Sequence, residues 1–323
     1  MRMTVLVFSE NMEVAAELLG KGKELAGELG TKLAAALLGT GVKGREGELF
    51  AYGADVVYVV DHPALTPFFP ETYADALVKV VEEAKPEVIL IGATKRGRET
   101  APRLATKLNA GCAAGATNLR IDKEKRLLIA ERPAISAMVV ATEYSKTKPQ
   151  IATVAPRTFE KPPRDDSRKG EVVEVKVDLT PPEKKILELK KKEVRGIKIE
   201  DAELITSCGR GFRKKEDLKM LEELAGLIGA TLGCSRPIAA DLKWLPEDHW
   251  VGLSGHKVKP KMYMAVGISG QVQHLAGMRD SKIIVAINKD PEAPIFKVAD
   301  YGIVGDLYQV LPALINYLKS RKG

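Results

Sequence analysis

Cysteine is scarce in this sequence: Cys112, Cys208 and Cys234 are the only three in 323 residues. Their wide, unmatched spacing argues against both a disulfide framework and a zinc site, and a reducing cytoplasm is the expected compartment. No apolar run approaches the roughly 20 residues that cross a bilayer, and the N-terminus reads as a strand rather than a secretion signal. Aromatic residues make up only 5% of the chain, which argues against a nucleic-acid binder with exposed stacking rings. Four Gln and five Asn in all are few thermolabile amides, a hint of a hot habitat. Catalytic signatures are missing too: no Ser-His-Asp set, no paired-carboxylate spacing, no His-Glu-x-x-His and no metal-ligand cluster.

What is present suits a soluble globular protein, with 45% hydrophobic and 29% charged residues. The 50 Lys and Arg exceed the 43 Asp and Glu by 7, a balance compatible with a phosphate-bearing cofactor or an acidic partner. The first half alternates strand and helix signals: "MTVLVF" (3–8), a helix over Val14–Leu29, "KLAAALLG" (32–39), "DVVYVVD" (55–61), a helix over Tyr73–Ala84 and "VILIGAT" (88–94). Such alternation predicts βαβ units in a doubly wound, mostly parallel sheet. Beyond residue 110, "LLIAERPA", "AMVVATEY" and "QIATVAP" are expected to add strands to the same sheet. "FSENMEV" (8–14) has no glycine, so the phosphate loop of a nucleotide-hydrolysing or ligase-type enzyme is absent after the first strand.

A composition break follows. "RTFEKPPRDDSRKGE" (157–171), "LTPPEKK" (179–185) and the sign-alternating run at 181–198 read as a connecting arm with a solvated charged face. A second α/β unit then starts near Ile199. The reading is therefore a 1–190 domain carrying the 157–198 arm, and a 199–323 domain built as a flavodoxin-like or Rossmann-like parallel sheet. In the second domain the unusual residues all fall just past strand ends: Gly209-Arg210-Gly211, Cys234-Ser235-Arg236, Gly267–His274 and Asn288-Lys289-Asp290. Open α/β sheets bind ligands there. Taken singly each has a plainer reading: a tight turn, an N-cap, a surface histidine, an Arg236–Asp241 ion pair. Together they form a polar ring. Its glycines let backbone N–H groups approach a phosphate and a helix start adds positive potential. The ring suits holding a ligand rather than hydrolysing one.

One string, "INKDPEAPIFKVADYGIVGDL" (287–307), with "CSRPIAAD" and "VGISGQVQHLAGMRDSK", resembles the FAD domain of the electron transfer flavoprotein alpha-subunit family. The resemblance extends over nearly the whole chain. It implies an FAD-bearing electron carrier, not an enzyme by itself, paired as a heterodimer with a beta subunit that contacts the first domain. It implies electron-donating dehydrogenases on one side and a quinone oxidoreductase or ferredoxin-linked partner on the other. Carried over, it places Arg210 and Ser235 on the phosphate and sugar portions and Arg236 on the isoalloxazine. Val251, Gly252, Leu253 and Ser254 would wrap the ring edge, with the Ser254 hydroxyl near N5. Ser269, Gly270, Gln271, Val272, Gln273 and His274 would hold the ribityl–pyrophosphate region, His274 reaching O2 and able to be neutral or charged at physiological pH. Asn288, Asp306 and Leu307 would bind the adenosine end. Two departures stand out. "SRPIAADLKWLPEDHW" is one residue longer than in respiratory members, and Ser254 stands where they commonly have Thr; the longer form resembles the branch serving nitrogen fixation or flavin-based electron bifurcation.

Overall fold

The computed structural model describes residues 4–135, 138–180, 184, 186–188 and 198–322. Most of the charged run expected at 181–198 lies outside the described residues. Two compact units divide the chain: residues 1–134 and 139–189 make the first, and residues 190–323 make the body of the second.

The first unit starts β1 (Thr4–Phe8), α1 (Met12–Leu29), β2 (Lys32–Gly39), α2 (Glu46–Phe50), β3 (Val56–Asp61), α3 (Pro70–Ala84), β4 (Pro86–Gly92) and α4 (Lys95–Lys107). It continues with β5 (Cys112–Ala116), β6 (Asn118–Asp122), β7 (Leu127–Ala134), β8 (Val139–Tyr144), β9 (Gln150–Val154) and β10 (Glu171–Glu174). Seven strands pair in parallel in the order β10-β3-β2-β1-β4-β9-β5. Every residue of β1 and β4 is buried, which is why Val5–Phe8 and Val88–Ile91 are continuous apolar runs: helices cover both faces of a parallel sheet. Local signals set the helix ends. Asn11 caps α1 by accepting from the Glu13 amide at 2.9 Å, and Gly30 ends it at φ +66°.

Two expectations are corrected here. "LLIAERPA" and "VVATEY" do not extend the main sheet; as β7 and β8 they pair antiparallel in a separate sheet ordered β6-β7-β8. The alternating burial of β6 fits a sheet with one covered and one open face, and only β9 returns to the parallel sheet. Nor is the first part of the 157–198 arm free. The Arg157 amide donates to Glu17 at 2.7 Å, Lys161 pairs with Glu13, and the Asp165 amide donates to the Ala51 carbonyl at 2.9 Å. The chain then forms β10 on the sheet edge beside β3, and Val175 and Leu179 are buried in the core. Pro and charge mark this stretch as irregular; they do not mark it as detached.

The second unit comprises β11 (Leu204–Cys208), α5 (Leu218–Ile228), β12 (Thr231–Cys234), β13 (Met262–Val266), α6 (Val272–Met278), β14 (Ile284–Asn288), β15 (Tyr301–Val304) and α7 (Leu307–Lys322). Its parallel sheet has the order β12-β11-β13-β14-β15. Leu218, Leu221 and Leu224 of α5 pack with Leu307, Leu311 and Ile315 of α7 on one face. Met278 of α6 packs with Val251, Tyr263 and Ile295 on the other. Successive connections run outward from β11 and β13 in opposite directions, so the strand order reverses between them, and a crevice is expected at their carboxyl ends.

Candidate flavin site

A cavity of about 1290 Å³ opens at those ends. Each strand delivers part of its wall: β11 runs into Arg210 and Gly211, β12 into Ser235 and Arg236, β13 into Gly267–Ser269, β14 into Asn288 and Lys289, and β15 into Gly305 and Asp306. The turns after β11 and β13 touch. A Cβ on Gly211 would lie 2.7 Å from the Gly267 Cα, and Gly267 itself has φ +62°, so glycine is required where the two backbones meet. The loop after β12 is tied down by the Leu253 amide, which donates to the Gln273 carbonyl at 2.7 Å, and by the Gly252 amide, which donates to that of His256 at 3.1 Å.

The lining fits FAD on three counts. Its volume exceeds the usual 300–1,000 Å³ of small-ligand pockets, as a dinucleotide needs. Arg210, Arg213, Arg236 and Lys289 face it against Asp306 as the single acid in the lining, an excess suited to a diphosphate. Trp244, Trp250, Phe212 and Leu253 supply flat apolar wall. A polar group is also left waiting: His274 borders the cavity with its Nδ1 buried and without a hydrogen-bond partner among the described residues. The helix dipole invoked from sequence contributes little, because α6 has only 7 residues.

Fourteen of the sixteen residues expected from sequence line this cavity. Gly270 and Val272 do not. Gly270, at φ +85°, is packed so that a Cβ would lie 2.3 Å from the Ile295 amide, and Val272 is 42% exposed. Several of the fourteen already have structural work. The Asn288 amide donates to the Ile268 carbonyl at 2.9 Å and its oxygen accepts from the Asp290 amide at 3.0 Å. Asp306 accepts from the Tyr308 amide at 2.9 Å, capping α7. Arg236 is exposed and makes no ion pair with Asp241 among the described residues, so the plainer reading of that residue does not hold. His274 is corrected in one respect: burial lowers its pKa to about 4, the nearby Val251 carbonyl opposing this short of a hydrogen bond, so the imidazole is neutral at pH 7 in this pocket. Sequence reading placed Lys289 in the polar ring but passed over Arg213 and Tyr308. The Tyr308 hydroxyl donates to Asp217 at 2.6 Å and accepts from the Arg213 amide at 2.7 Å, while the Arg213 guanidinium lies 4.8 Å from its ring centre. Their signal was position alone, each one or two residues beyond a residue already chosen.

The family profile of the electron transfer flavoprotein domain matches residues 5–180, and that of the electron transfer flavoprotein FAD-binding domain matches residues 198–279. The chain is 44% identical over 314 residues to the electron transfer flavoprotein subunit alpha of Thermoanaerobacterium thermosaccharolyticum, covering 96% of this chain and 94% of that one. It is 42% identical to protein FixB of Clostridium saccharobutylicum, over 98% of this chain and 96% of that one. It is also 41% identical to subunit LctC of the lactate dehydrogenase (NAD(+),ferredoxin) of Acetobacterium woodii, over 95% of this chain and 73% of that one. A parallel-sheet cavity with a cationic lining and a match of this extent lead to one conclusion: the chain belongs to the electron transfer flavoprotein alpha-subunit family and carries electrons on FAD.

Proposed function

We propose that the cavity of the second unit holds the FAD along its length, with the isoalloxazine toward Arg236 and the loop 251–254 and the adenosine toward Asn288 and Asp306. The observation that carries this reading is the lining itself: cations and hydroxyls from four of the five strand ends around one large cavity, with Trp244 and Trp250 in its wall. Bound FAD supplies one- and two-electron redox chemistry. The protein's part is to hold and tune it. Arg210, Arg213 and Lys289 neutralise the diphosphate. Ser235 and Ser269 offer hydroxyl donors, and Ser254 sits exposed on the loop that closes one side. Arg236 keeps a permanent positive charge beside the ring.

The chain works in this reading as one half of a heterodimer with a beta subunit that covers part of the first unit, taking electrons from dehydrogenases and passing them to a quinone oxidoreductase or ferredoxin-linked acceptor. A second reading, membership of an NADH-linked bifurcating complex in the cytoplasm, is favoured by Trp244 and Trp250 of the long 235–250 segment, which enter the cavity wall, and by the likeness to a subunit of an NAD(+)- and ferredoxin-linked dehydrogenase. No described helix is long and apolar enough to cross a membrane, so a membrane acceptor would have to be met at its surface. Co-purification with the candidate beta subunit tests the whole scheme. A yellow heterodimer, reducible by NADH or by an acyl-CoA dehydrogenase with its substrate, separates the two readings. A complex that forms without flavin, or an FAD affinity unchanged when Arg210, Arg213 and Lys289 are all replaced by Ala, would remove the assignment of the cavity.

A further inference from the structure

Tyr263, the second residue of β13, is fully buried, and its hydroxyl lies 3.0 Å from Nε2 of His274 on α6. Both side chains belong to the core under the cavity, yet only His274 borders it. A buried phenol needs a partner for its proton, and burial raises the Tyr263 pKa well above the ordinary value, so the hydroxyl keeps that proton. Two acceptors are near. The Ser207 hydroxyl on β11 is close enough to influence Tyr263 but makes no hydrogen bond in this geometry. Nε2 of His274 is therefore the acceptor within reach.

Burial also keeps His274 neutral, and a neutral imidazole has one N–H and one bare nitrogen. If Nε2 accepts from Tyr263, the proton is on Nδ1. The opposite arrangement is worse twice over. It turns the phenol proton away from its acceptor within reach, and it sets a bare Nδ1 lone pair in the core beside the Val251 carbonyl, which favours a proton on the ring.

We propose that Tyr263 is a positioning residue for the flavin site: its hydroxyl donates to Nε2 of His274 and so fixes the Nδ1–H tautomer, which leaves the Nδ1 proton to the Val251 side of the core and holds in place the imidazole that borders the cavity. Tyr263 itself lies outside the cavity lining and acts through His274. The role toward FAD rests on the reading that the isoalloxazine occupies this end of the cavity; the tautomer does not.

The experiment is nitrogen-15 NMR of histidine-labelled full-length protein, with and without FAD, the His274 signal being assigned by its loss in His274→Gln. The expected wild-type spectrum has Nδ1 protonated and Nε2 bare in both states. Tyr263→Phe keeps the ring and its packing but removes the donor, and the tautomer ratio moves toward Nε2–H by about tenfold, the worth of one net hydrogen bond. In the FAD-loaded protein the midpoint potential then shifts in the same direction as in His274→Gln, and the double variant shifts no further than His274→Gln alone. A wild-type His274 protonated on Nε2, or an unchanged ratio in Tyr263→Phe, overturns the proposal. Should Tyr263→Phe not fold, the wild-type spectrum still decides. Failure of the chain to take up FAD, with the Nδ1–H tautomer observed, sinks the flavin assignment of the cavity and leaves the tautomer standing.

Discussion

The two units share one plan and use it oppositely. Both are parallel sheets with a reversal of strand order, between β1 and β4 in the first and between β11 and β13 in the second. In the first, the edge at that reversal is filled by its own side chains. Thr94 donates to Glu10 at 2.7 Å and caps α4 by accepting from the Gly97 amide at 2.9 Å, and a Cβ on Gly97 would fall 1.8 Å from the Gly92 carbonyl. In the second, the two turns clasp each other through Gly211 and Gly267 and stand aside from a large cavity. What separates the two edges is thus a few residues at the reversal; strand order and helix placement follow the same scheme in both.

The sharpest way to break the contrast is to close the open edge. Gly267→Val forces a β-branched residue into φ +62° and sets its Cβ 2.9 Å from the Gly211 Cα. Strained positions of this kind cost about 1–3 kcal/mol each, and overpacking adds a similar amount, so the second unit should lose roughly 3–5 kcal/mol and FAD should no longer be retained. Both tryptophans, Trp244 and Trp250, are in the second unit, so their fluorescence follows its unfolding alone. An unshifted fluorescence melt would refute the clasp.

Acid should take the two units apart in different windows. His274 is buried, with a pKa lowered from 6.5 to about 4, so between those values the unfolded chain binds a proton that the folded chain refuses. Stability of the second unit is then full above pH 6.5 and falls as pH drops toward 4, by about 3 kcal/mol at about 1.4 kcal/mol per pH unit. In the first unit, Glu87 has no exposed side-chain area and is bound by Arg126 at 2.7 Å and Lys148 at 2.5 Å. Burial raises its pKa, but the hydrogen bonds from Arg126 and Lys148 outweigh this and hold it below 4.5. Its contribution is therefore present above about 4.5 and lost only at lower pH. Fluorescence-detected stability should decline from pH 6.5 downward and flatten in His274→Gln, while amide exchange in β1 and β4 should stay slow to about pH 4.5. Glu87→Gln should weaken the first unit by about 1–2 kcal/mol at pH 7, a modest figure because both cations are half-exposed and can rehydrate. Simultaneous acid loss in both units would contradict these assignments.

Strands with both faces buried were legible because burial on both sides demands apolar runs, as in "VLVF" (5–8) and "VILIG" (88–92). β10 was not, because "EVVE" pairs on one edge only and sits among Pro and charge. The assignment of β7 and β8 to a separate sheet was equally hidden, since periodicity reports which faces are covered and not which strand is the neighbour. At the site, residues at turns announced themselves through glycine and polar clustering. Tyr263 did not: it reads as one more apolar strand residue, and its bond to His274 depends on packing between elements that no local pattern encodes.

Arg236 gives the finest test of the contrast, since it brings a fixed cation to the open edge of the second unit. Its guanidinium lines the cavity, is exposed to water and makes no ion pair among the described residues. Reduction adds negative charge to the flavin, so a fixed cation stabilises the reduced ring more than the oxidised one. Because the group is wet, the effect belongs near the aqueous limit, about 1 kcal/mol for a contact pair, and not at the several-fold larger value of a dry site. At about 59 mV per tenfold change in a one-electron equilibrium, 1 kcal/mol is roughly 40 mV. Arg236→Ala should therefore lower the midpoint potential of bound FAD by roughly 40 mV while most of the FAD is retained, because Arg210, Arg213 and Lys289 still line the cavity. Arg236→Lys separates charge from shape: a restored potential means that charge alone suffices, whereas a partial recovery shows that the planar guanidinium matters as well. Raising the ionic strength should shrink the wild-type difference, as it does for exposed charges. A potential unmoved by Arg236→Ala at low salt would show that Arg236 only lines the cavity.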